Sequence, residues 1–377
     1  MSDIHIGAIP AEQLEKELNL FLDYIEDEVV DMVFINGDFF DKKLSVNSNH
    51  ARLAINFMDN LLRLQDKYDY AIRIIRGTFS HDLNQLEIFR QFHNNPGIDF
   101  KIFNSVASET FIWNKKEWKF LYIPEEYVED LDEYYGEYFK EGDFYHMIHG
   151  HGAFTHNSFS AMSSTSERHL KSAPHFDYDK LAKHTHAINF GHVHTGGRYK
   201  SKLIYNGSFS RFTFGEEEPK GFYHYVLDHD KLVSSKFIEN KLARKFVTID
   251  VDEIVSSNTS IEDKIKEIES ITKNPDIFKT RIKYVNANSE EDLRTKVIKD
   301  YFNKNHSDDV VVKVTNLSKE EESENDVKMI DEYAFVFDHT IPTLDKIQQY
   351  VSKKHNVDIS KESLEWALRN THKTGKD

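Results

Sequence analysis

The chain is 377 residues long, with a formal net charge of −16 and no cysteine. Its length suits two domains, or one large domain with appendages, and leaves ample chain for a buried core. The missing thiols exclude a disulfide framework and a thiolate metal site, fit a reducing compartment, and restrict any metal ligand to nitrogen or oxygen. No apolar run is long enough to cross a bilayer, and the N-terminus lacks the basic and apolar stretches of a signal peptide. The sequence therefore predicts a soluble cytoplasmic protein with no membrane attachment. Its acidic balance argues against indiscriminate nucleic-acid binding, which rewards clustered Lys and Arg, but leaves room for local positive charge supplied by metals or a partner.

In chain order, Leu14, Leu18, Leu22, Ile25 and Val29 recur at helical spacing and predict a helix over residues 11–30. Met32 to Ile35 is a short apolar run that reads as a buried parallel strand ending at Asn36-Gly37. The pattern repeats with a helix over 51–64 and a strand over 71–75. Later strands over 144–148 and 186–190 end at further histidines. A hairpin follows, residues 222–227 and 232–237 turning at Asp228-His229-Asp230. From Lys245 onward the chain reads strand (Val247, Ile249, Val251), helix (Ile261 to Ile271), strand (282–285), helix (Leu293, Val297, Tyr301) and strand (310–314), a second small α/β unit. Ser260 and Ser289, each with Asp three residues on, resemble capping boxes. The Glu-rich run 318–326 reads as a solvated loop, and a final strand and two short helices close the chain.

Five short motifs punctuate the first part: Asp3-Ile4-His5, Gly37-Asp38-Phe39-Phe40-Asp41, His81-Asp82, His149-Gly150-His151-Gly152 and Gly191-His192-Val193-His194. All but the first follow hydrophobic runs. In open α/β sheets ligands collect at the carboxyl ends of strands, so motifs scattered in sequence converge in space. Carboxylates and imidazoles gathered in this way suit a pair of divalent metals. Taken alone, each motif has a plainer reading as surface chemistry or a satisfied histidine; their succession favours a binuclear site. Asp3 stands so near the start that no strand of this sequence precedes it, so either the chain starts late relative to the functional protein or the sheet lacks one inner strand.

The motif order resembles the calcineurin-like metallophosphoesterases. The block Tyr205-Asn206-Gly207-Ser208-Phe209-Ser210-Arg211, then Phe214-Gly215-Glu216-Glu217 and Lys220-Gly221-Phe222, is similar to the nuclease subunits of the SbcC–SbcD type and their phage counterparts in double-strand-break repair. The specific motifs cover residues 1 to about 225; beyond them only the layout is shared. The resemblance implies an α/β sandwich of mixed sheets flanked by helices over residues 1–240. It also implies a small α/β capping, DNA-binding domain over 241–335 and C-terminal partner-binding helices over 336–377. It implies that Asp3, His5, Asp38 and His194 hold one metal and that Asp38 bridges to a second, which also takes His192 and one of His149 and His151. His151 is preferred, because it lies past the strand end with Gly on both sides. His81 maps onto the catalytic histidine that contacts phosphate and assists the leaving oxygen, with Asp82 beside it. Manganese, with magnesium as the alternative, follows from the oxygen and nitrogen donors.

The chain departs from the family at one loop. The usual Gly-Asn-His-Asp reads here Gly77-Thr78-Phe79-Ser80-His81-Asp82, so the amide that ligates the second metal is replaced. Ser80 is taken as the stand-in, with Thr78 as the alternative. Arg198, Lys200 and Lys202 are candidate phosphate or DNA contacts, as are Lys115, Lys116 and Lys119; ordinary surface charge explains them equally well. The stretch Glu125 to Phe139 reads as a solvated helix in preference to a substrate gate.

The resemblance further implies a DNA exonuclease and endonuclease in a bacterial cell or phage-infected host. It would act in repair, recombination or replication as a homodimer within a heterotetramer with an SMC-like ATPase. Pro342 suits a helix first turn, and Leu344, Ile347 and Val351 then share one face for docking that partner; a second helix over 362–370 presents Leu364, Trp366 and Leu368. The competing readings are a small-molecule phosphodiesterase or phosphatase, and a non-catalytic structural subunit.

Overall fold

The computed structural model describes residues 1–28, 30–94, 97–128, 130–154, 174–250, 260–286, 289–306, 309–316, 342–355, 360, 361 and 363. It is an α/β protein. By its contacts the chain divides into one unit comprising Met1–Ile249, Thr259–Ile282 and Asn303–Val311, and another comprising Asp250–Asn258, Lys283–Phe302 and Val312–Asp377. Every candidate site residue belongs to the first.

Helix α1 (Ala11–Asp27) buries Leu14, Leu18, Phe21, Leu22 and Ile25 on one face. It ends at Asp27, where Glu28 turns extended, three residues before the sequence predicted. Strand β1 (Met32–Asn36) follows. Helix α2 (Asn49–Tyr68) is longer than predicted at both ends, for local reasons: Ser48 Oγ accepts from the Ala51 N–H, and Asp69 closes the helix in a left-handed conformation. Strands β2 (Ala71–Ile75) and β3 (Phe100–Phe103) complete a parallel sheet in the order β1-β2-β3. Both helices share one apolar cluster with Val33, Ile35, Ile72, Ile74 and Phe100 of this sheet.

A second, mixed sheet runs β10-β11-β9-β6-β5-β4. Its members are β4 (Ala107–Trp113), β5 (Lys116–Ile123), β6 (Met147–His151), β9 (Ile188–Gly191), β10 (Gly197–Arg198) and β11 (Leu203–Tyr205), with the short pair β7 (Ala153–Phe154) and β8 (His175–Phe176) beside it. Period-two alternation sorts its side chains between two layers. On β5, Phe120 and Tyr122 join Ile75 and Met147 between the sheets, whereas Leu121 and Ile123 face the outer cluster with Tyr135, Leu181 and Phe190. Phe34 of β1 stacks on His149 of β6 at 3.7 Å between ring centroids, and Phe103 stacks on Tyr122 at 3.9 Å, so the two sheets face one another. The predicted strands over 144–148 and 186–190 are displaced by about one turn of pleat towards the site, to Met147–His151 and Ile188–Gly191.

The hairpin is present as β12 (Gly221–Asp228) and β13 (Lys231–Glu239). Strands β14 (Lys245–Asp250), β15 (Ile277–Asn286) and β16 (Val310–Asn316) form a further sheet in that order. Its companion helices lie where the apolar periodicity placed them: α6 is Ile261–Thr272 and α7 is Ser289–Asn305, in the numbering that assigns α3 to Phe79–Asp82, α4 to Leu131–Tyr135 and α5 to Tyr178–Ala182. Ser260 Oγ accepts from the Asp263 N–H at 3.1 Å, as the capping pattern predicts. Helix α8 (Thr343–His355) begins after Pro342. The Glu-rich run and the second C-terminal helix fall outside the described residues. Among the described residues no helix is long and apolar enough to cross a membrane.

The two sheets are also joined by charge. Buried Arg73 of β2 donates from Nε and Nη2 to both oxygens of Glu109 on β4, at 2.8 and 2.7 Å. Lys101 Nζ and Tyr122 OH donate to the same carboxylate at 2.6 and 2.9 Å. Burial alone would raise Glu109, but Arg73 and Lys101 overcome it and hold it down at about 2. Glu109→Gln is therefore expected to cost about 3 kcal/mol in urea unfolding at neutral pH, the usual effect of breaking a buried pair. Because the folded-state value is depressed, this stabilisation is complete above the unfolded value of 4.5 and is lost as pH falls towards 2. The gap between wild type and variant is expected to close over that window.

Candidate metal centre

The ligand-bearing residues sit where strands stop. After β1, Gly37 takes φ 82° and Asp38 φ 49°. A Cβ on Gly37 would lie 2.2 Å from His151 Nδ1, so only glycine lets β1 end against the end of β6. After β2, a Cβ on Gly77 would meet the Asp38 amide nitrogen at 2.1 Å. This close approach lets the Thr78 N–H donate to Asp38 Oδ1 at 2.6 Å. Asp3 and His5 need no preceding strand: residues 1–6 run beside β1 and its continuation. The Asn36 N–H donates to Met1 O, and those of Asp3, His5 and Ile6 donate to the carbonyls of Gly37, Asp38 and Phe39. Asp3, His5, Asp38 and His192 are four of the eight non-glycine residues with positive φ among those described. Such conformations concentrate where surrounding structure over-determines the backbone, as at functional sites.

Side chains from these ends form overlapping groups whose ligand atoms lie within 4.8 Å of one another: Asp3, His5 and His194; Asp3, Asp38 and His151; Glu125, His151 and His192; His5, Asp41 and His81. Asp38 is common ground. Its Oδ2 is 3.7 Å from His5 Nε2 on one side and 3.4 Å from His151 Nε2 on the other. His194 Nε2 is 3.1 Å from His5 Nε2 and 3.9 Å from Asp3 Oδ1. Glu125 Oε2 is 3.2 Å from His192 Nδ1 and 3.6 Å from His151 Nε2.

Outer partners fix which nitrogen faces inward. His151 Nδ1 donates to the Asn36 carbonyl at 2.7 Å, His194 Nδ1 to Glu216 Oε1 at 2.8 Å, and His81 Nδ1 to the Asp41 carbonyl at 2.5 Å. Each ring thus turns Nε2 towards the carboxylates, the arrangement that metal-ligating histidines use. Buried His5 Nδ1, His151 Nε2 and His192 Nε2 have no hydrogen-bond partner among the described residues. A buried nitrogen left so is costly unless a cation takes its lone pair. The donor set, all imidazole nitrogen and carboxylate oxygen, could therefore hold a metal ion.

The electrostatics agree. Burial raises the Asp3 carboxyl. Asp82 is pushed up to about 7, by burial and then by Asp38. Burial works against charge on Asp38 too, but His151 and His5 overcome it and hold Asp38 well below the carboxylate range. Burial would lower His151, yet Asp38, Asp3 and Glu125 lift it well above the ordinary value; His194 is likewise raised, against burial, by Glu216 and Asp3. Protons on these rings stand where positive charge is wanted. Both must leave before a cation binds, and both are held above the ordinary histidine value of 6.5, so manganese affinity is expected to rise as pH increases from that value upward. Calorimetry in buffers of different ionisation enthalpy would show the proton release; a pH-independent affinity would contradict it.

Of the residues proposed from sequence, Asp3, His5, Asp38, His151, His192 and His194 come together. His149 does not: two residues earlier on β6, it is covered within the layer between the sheets, stacked on Phe34. Ser80 is exposed on α3, while the Thr78 hydroxyl lies 3.3 Å from Asp38 Oδ2 and 3.2 Å from Glu125 Oε2. His81 stands at the rim, its ring 4.9 Å from that of His5. Asp82 is turned away from it and accepts from the Phe40 and Gly77 N–H groups at 3.0 and 2.7 Å, clamping the two ligand loops together.

Five of the six basic candidates have partners within the protein, and the sixth, Lys115, is exposed. Arg198 bonds Ser201 O and Ser235 Oγ, Lys200 lies over the Tyr178 ring, and Lys202 Nζ caps the Ala182 and Thr185 carbonyls. Lys116 is 3.7 Å from Asp228 and Lys119 3.4 Å from Asp143.

Two carboxylates were missed. The sequence reads Glu125 as part of a solvated helix, but Glu125 is buried and precedes the helical turns of that stretch, α4 and the 3-10 turn Gly136–Tyr138. Its position two residues after the end of β5 is the signal that placed the other ligands. Glu216 was quoted only as part of a motif. It accepts from His194 Nδ1 and from the Phe212 N–H at 2.7 Å, with Lys220 Nζ bonded to the His194 carbonyl at 3.1 Å, so the block from Phe214 to Lys220 braces His194.

No family model matches the chain, and no curated protein matches it. Glu216→Ala removes the acceptor that orients His194 and is expected to weaken manganese binding by about 10- to 100-fold, measured by titration calorimetry.

Proposed function

We propose that the protein is a phosphodiesterase dependent on two divalent metals, of the calcineurin-like metallophosphoesterase kind, and that it cleaves DNA. The observation that carries this reading is the position of Asp38, whose single carboxylate is shared by imidazoles of two adjoining ligand groups. Asp3, His5, Asp38 and His194 would hold one cation, and Asp38, His151 and His192 a second. Bound there, the cations supply Lewis acidity towards phosphate oxygens and lower the pKa of a coordinated water.

The chain's own residues supply orientation and a proton. Asp82 fixes the loops carrying Asp38 and His81 relative to each other. His81, with Nδ1 committed to the Asp41 carbonyl, presents Nε2 at the rim, where it can protonate a leaving oxygen. The grouping of ligands argues against a purely structural subunit.

DNA as the substrate rests on the similarity of the Gly207 to Phe222 block to SbcC–SbcD-type nucleases and on the chain that follows it. The same similarity motivates an SMC-like ATPase partner engaging α8, with the nuclease as a homodimer inside a heterotetramer. A small-molecule phosphodiesterase is the second reading, and one observation favours it: the block braces His194, and Arg198, Lys200 and Lys202 are tied into the protein. Manganese-dependent cleavage of linear duplex DNA, set against a chromogenic phosphodiester, separates the two. Asp38→Asn is expected to reduce either activity by more than about 10³-fold, beyond the loss of one oxyanion donor, with unchanged circular dichroism. Retention of a tenth of wild-type activity would refute the shared-carboxylate assignment.

A further inference from the structure

We infer that Glu125 is a protein ligand of the second cation, taking the place for which the Gly77 to His81 loop offers no amide. The inference rests on the two-metal reading and extends it to a residue that no sequence motif marks.

Glu125 arrives at the site by backbone geometry. Its N–H donates to the Arg76 carbonyl at 3.2 Å, which pins it beside the loop that begins at Gly77. The side chain is 1% exposed. Oε1 accepts from the Tyr127 hydroxyl, while Oε2 accepts from Thr78 Oγ1 and faces both His151 and His192. One oxygen is thus fully used in holding the group, and the other is aimed at two imidazoles.

A carboxylate buried this deeply is retained only when paired or when it coordinates a metal. Pairing with His192 is the simpler account of the 3.2 Å contact. It does not reach the neighbouring His151, whose buried Nε2 stands between two carboxylates, 3.4 Å from Asp38 Oδ2 and 3.6 Å from Glu125 Oε2, a spacing that suits ligands around one shared position. A cation held by Asp38, Glu125, His151 and His192 satisfies all four groups at once. Thr78 then acts on the carboxylates, as a hydroxyl donor orienting Asp38 and Glu125. Exchanging a neutral amide for an anionic oxygen makes the second position more negative by one charge. This favours a hard divalent ion such as manganese or magnesium.

The test uses the full-length protein, stripped with chelator and titrated with manganese. Calorimetry and elemental analysis read stoichiometry, and electron paramagnetic resonance reads whether two manganese ions form a coupled pair. Wild type is expected to bind two ions as a coupled pair. Glu125→Gln is expected to keep the first ion and bind the second about 10- to 100-fold more weakly, losing the coupled signal at low manganese. Two ions bound with wild-type affinity and coupling in Glu125→Gln would overturn the assignment while leaving the two-metal reading intact. A wild type that binds fewer than two ions would overturn both. Should a thermal melt show that Glu125→Gln does not fold, Tyr127→Phe decides. The tyrosine is 56% exposed, and losing its hydroxyl is expected to weaken the second ion in the same direction by a smaller factor; an unchanged second-ion affinity would overturn the proposal.

Discussion

Like charge held out of water is the constraint on which the rest of this structure depends. Asp3, Asp38, Asp82 and Glu125 are all buried at one end of the facing sheets. An unpaired buried carboxylate is costly enough that it normally takes up a proton instead. The environment answers in three ways. Asp82 is satisfied by two backbone N–H groups and moves towards neutrality. Asp38 stays ionised because His151 and His5 surround it. His151 and His194 accept protons despite their burial. A site in which imidazoles are forced to carry charge so that carboxylates can remain ionised has the electrostatic character of one built for cations.

The fold sustains this crowding because its stability is generated elsewhere. Three apolar layers, the last of them between the sheets, hold the helices and sheets together, and the first reaches the ligand loops through Ile4, Ile6, Phe39 and Phe40. Left-handed backbone at Asp3, His5, Asp38 and His192 adds strain on the order of 1–3 kcal/mol per residue. Backbone hydrogen bonds from residues 1–6 to the Asn36–Phe39 segment hold the first three of those residues in place. The Arg73–Glu109 pair shows the opposite treatment of buried charge: one carboxylate meets a forked guanidinium, a lysine and a phenol, with every oxygen satisfied. One cluster is closed and structural; the other leaves His5 Nδ1 and His192 Nε2 without a hydrogen-bond partner among the described residues.

Much of the first unit was legible because its elements repeat a simple pattern, an amphipathic helix followed by a short apolar strand ending at glycine. Helix ends drifted by a few residues where caps such as Ser48 and Asp69 decided them. Strands β4 and β5 are absent from the sequence expectations, although β5 ends in a continuous buried apolar run, Phe120 to Ile123, of the kind that marks β1. The choice between His149 and His151 was open in sequence as a pair two residues apart. Both lie on the inner face of β6, so parity does not separate them; distance from the strand end does. His149 is covered by Phe34, and His151 reaches the Asn36 carbonyl where β1 stops.

Glu125 was illegible for a more instructive reason. Motif reading looks for ligands beside glycine and histidine, whereas Glu125 lies in an acidic, aromatic stretch whose composition matches a solvated helix. What distinguishes it is topology. β5 is the parallel neighbour of β6, so the residue just past its end falls beside those following β6, β9, β1 and β2. A carboxylate at that place costs the loop after β2 nothing in chain length and relieves it of supplying an amide. On this proposal the loop after β2 and the buried glutamate complement each other: Thr78 sets a small hydrogen-bonding side chain against Asp38 and Glu125, and Glu125 would supply the oxygen donor from the adjoining sheet.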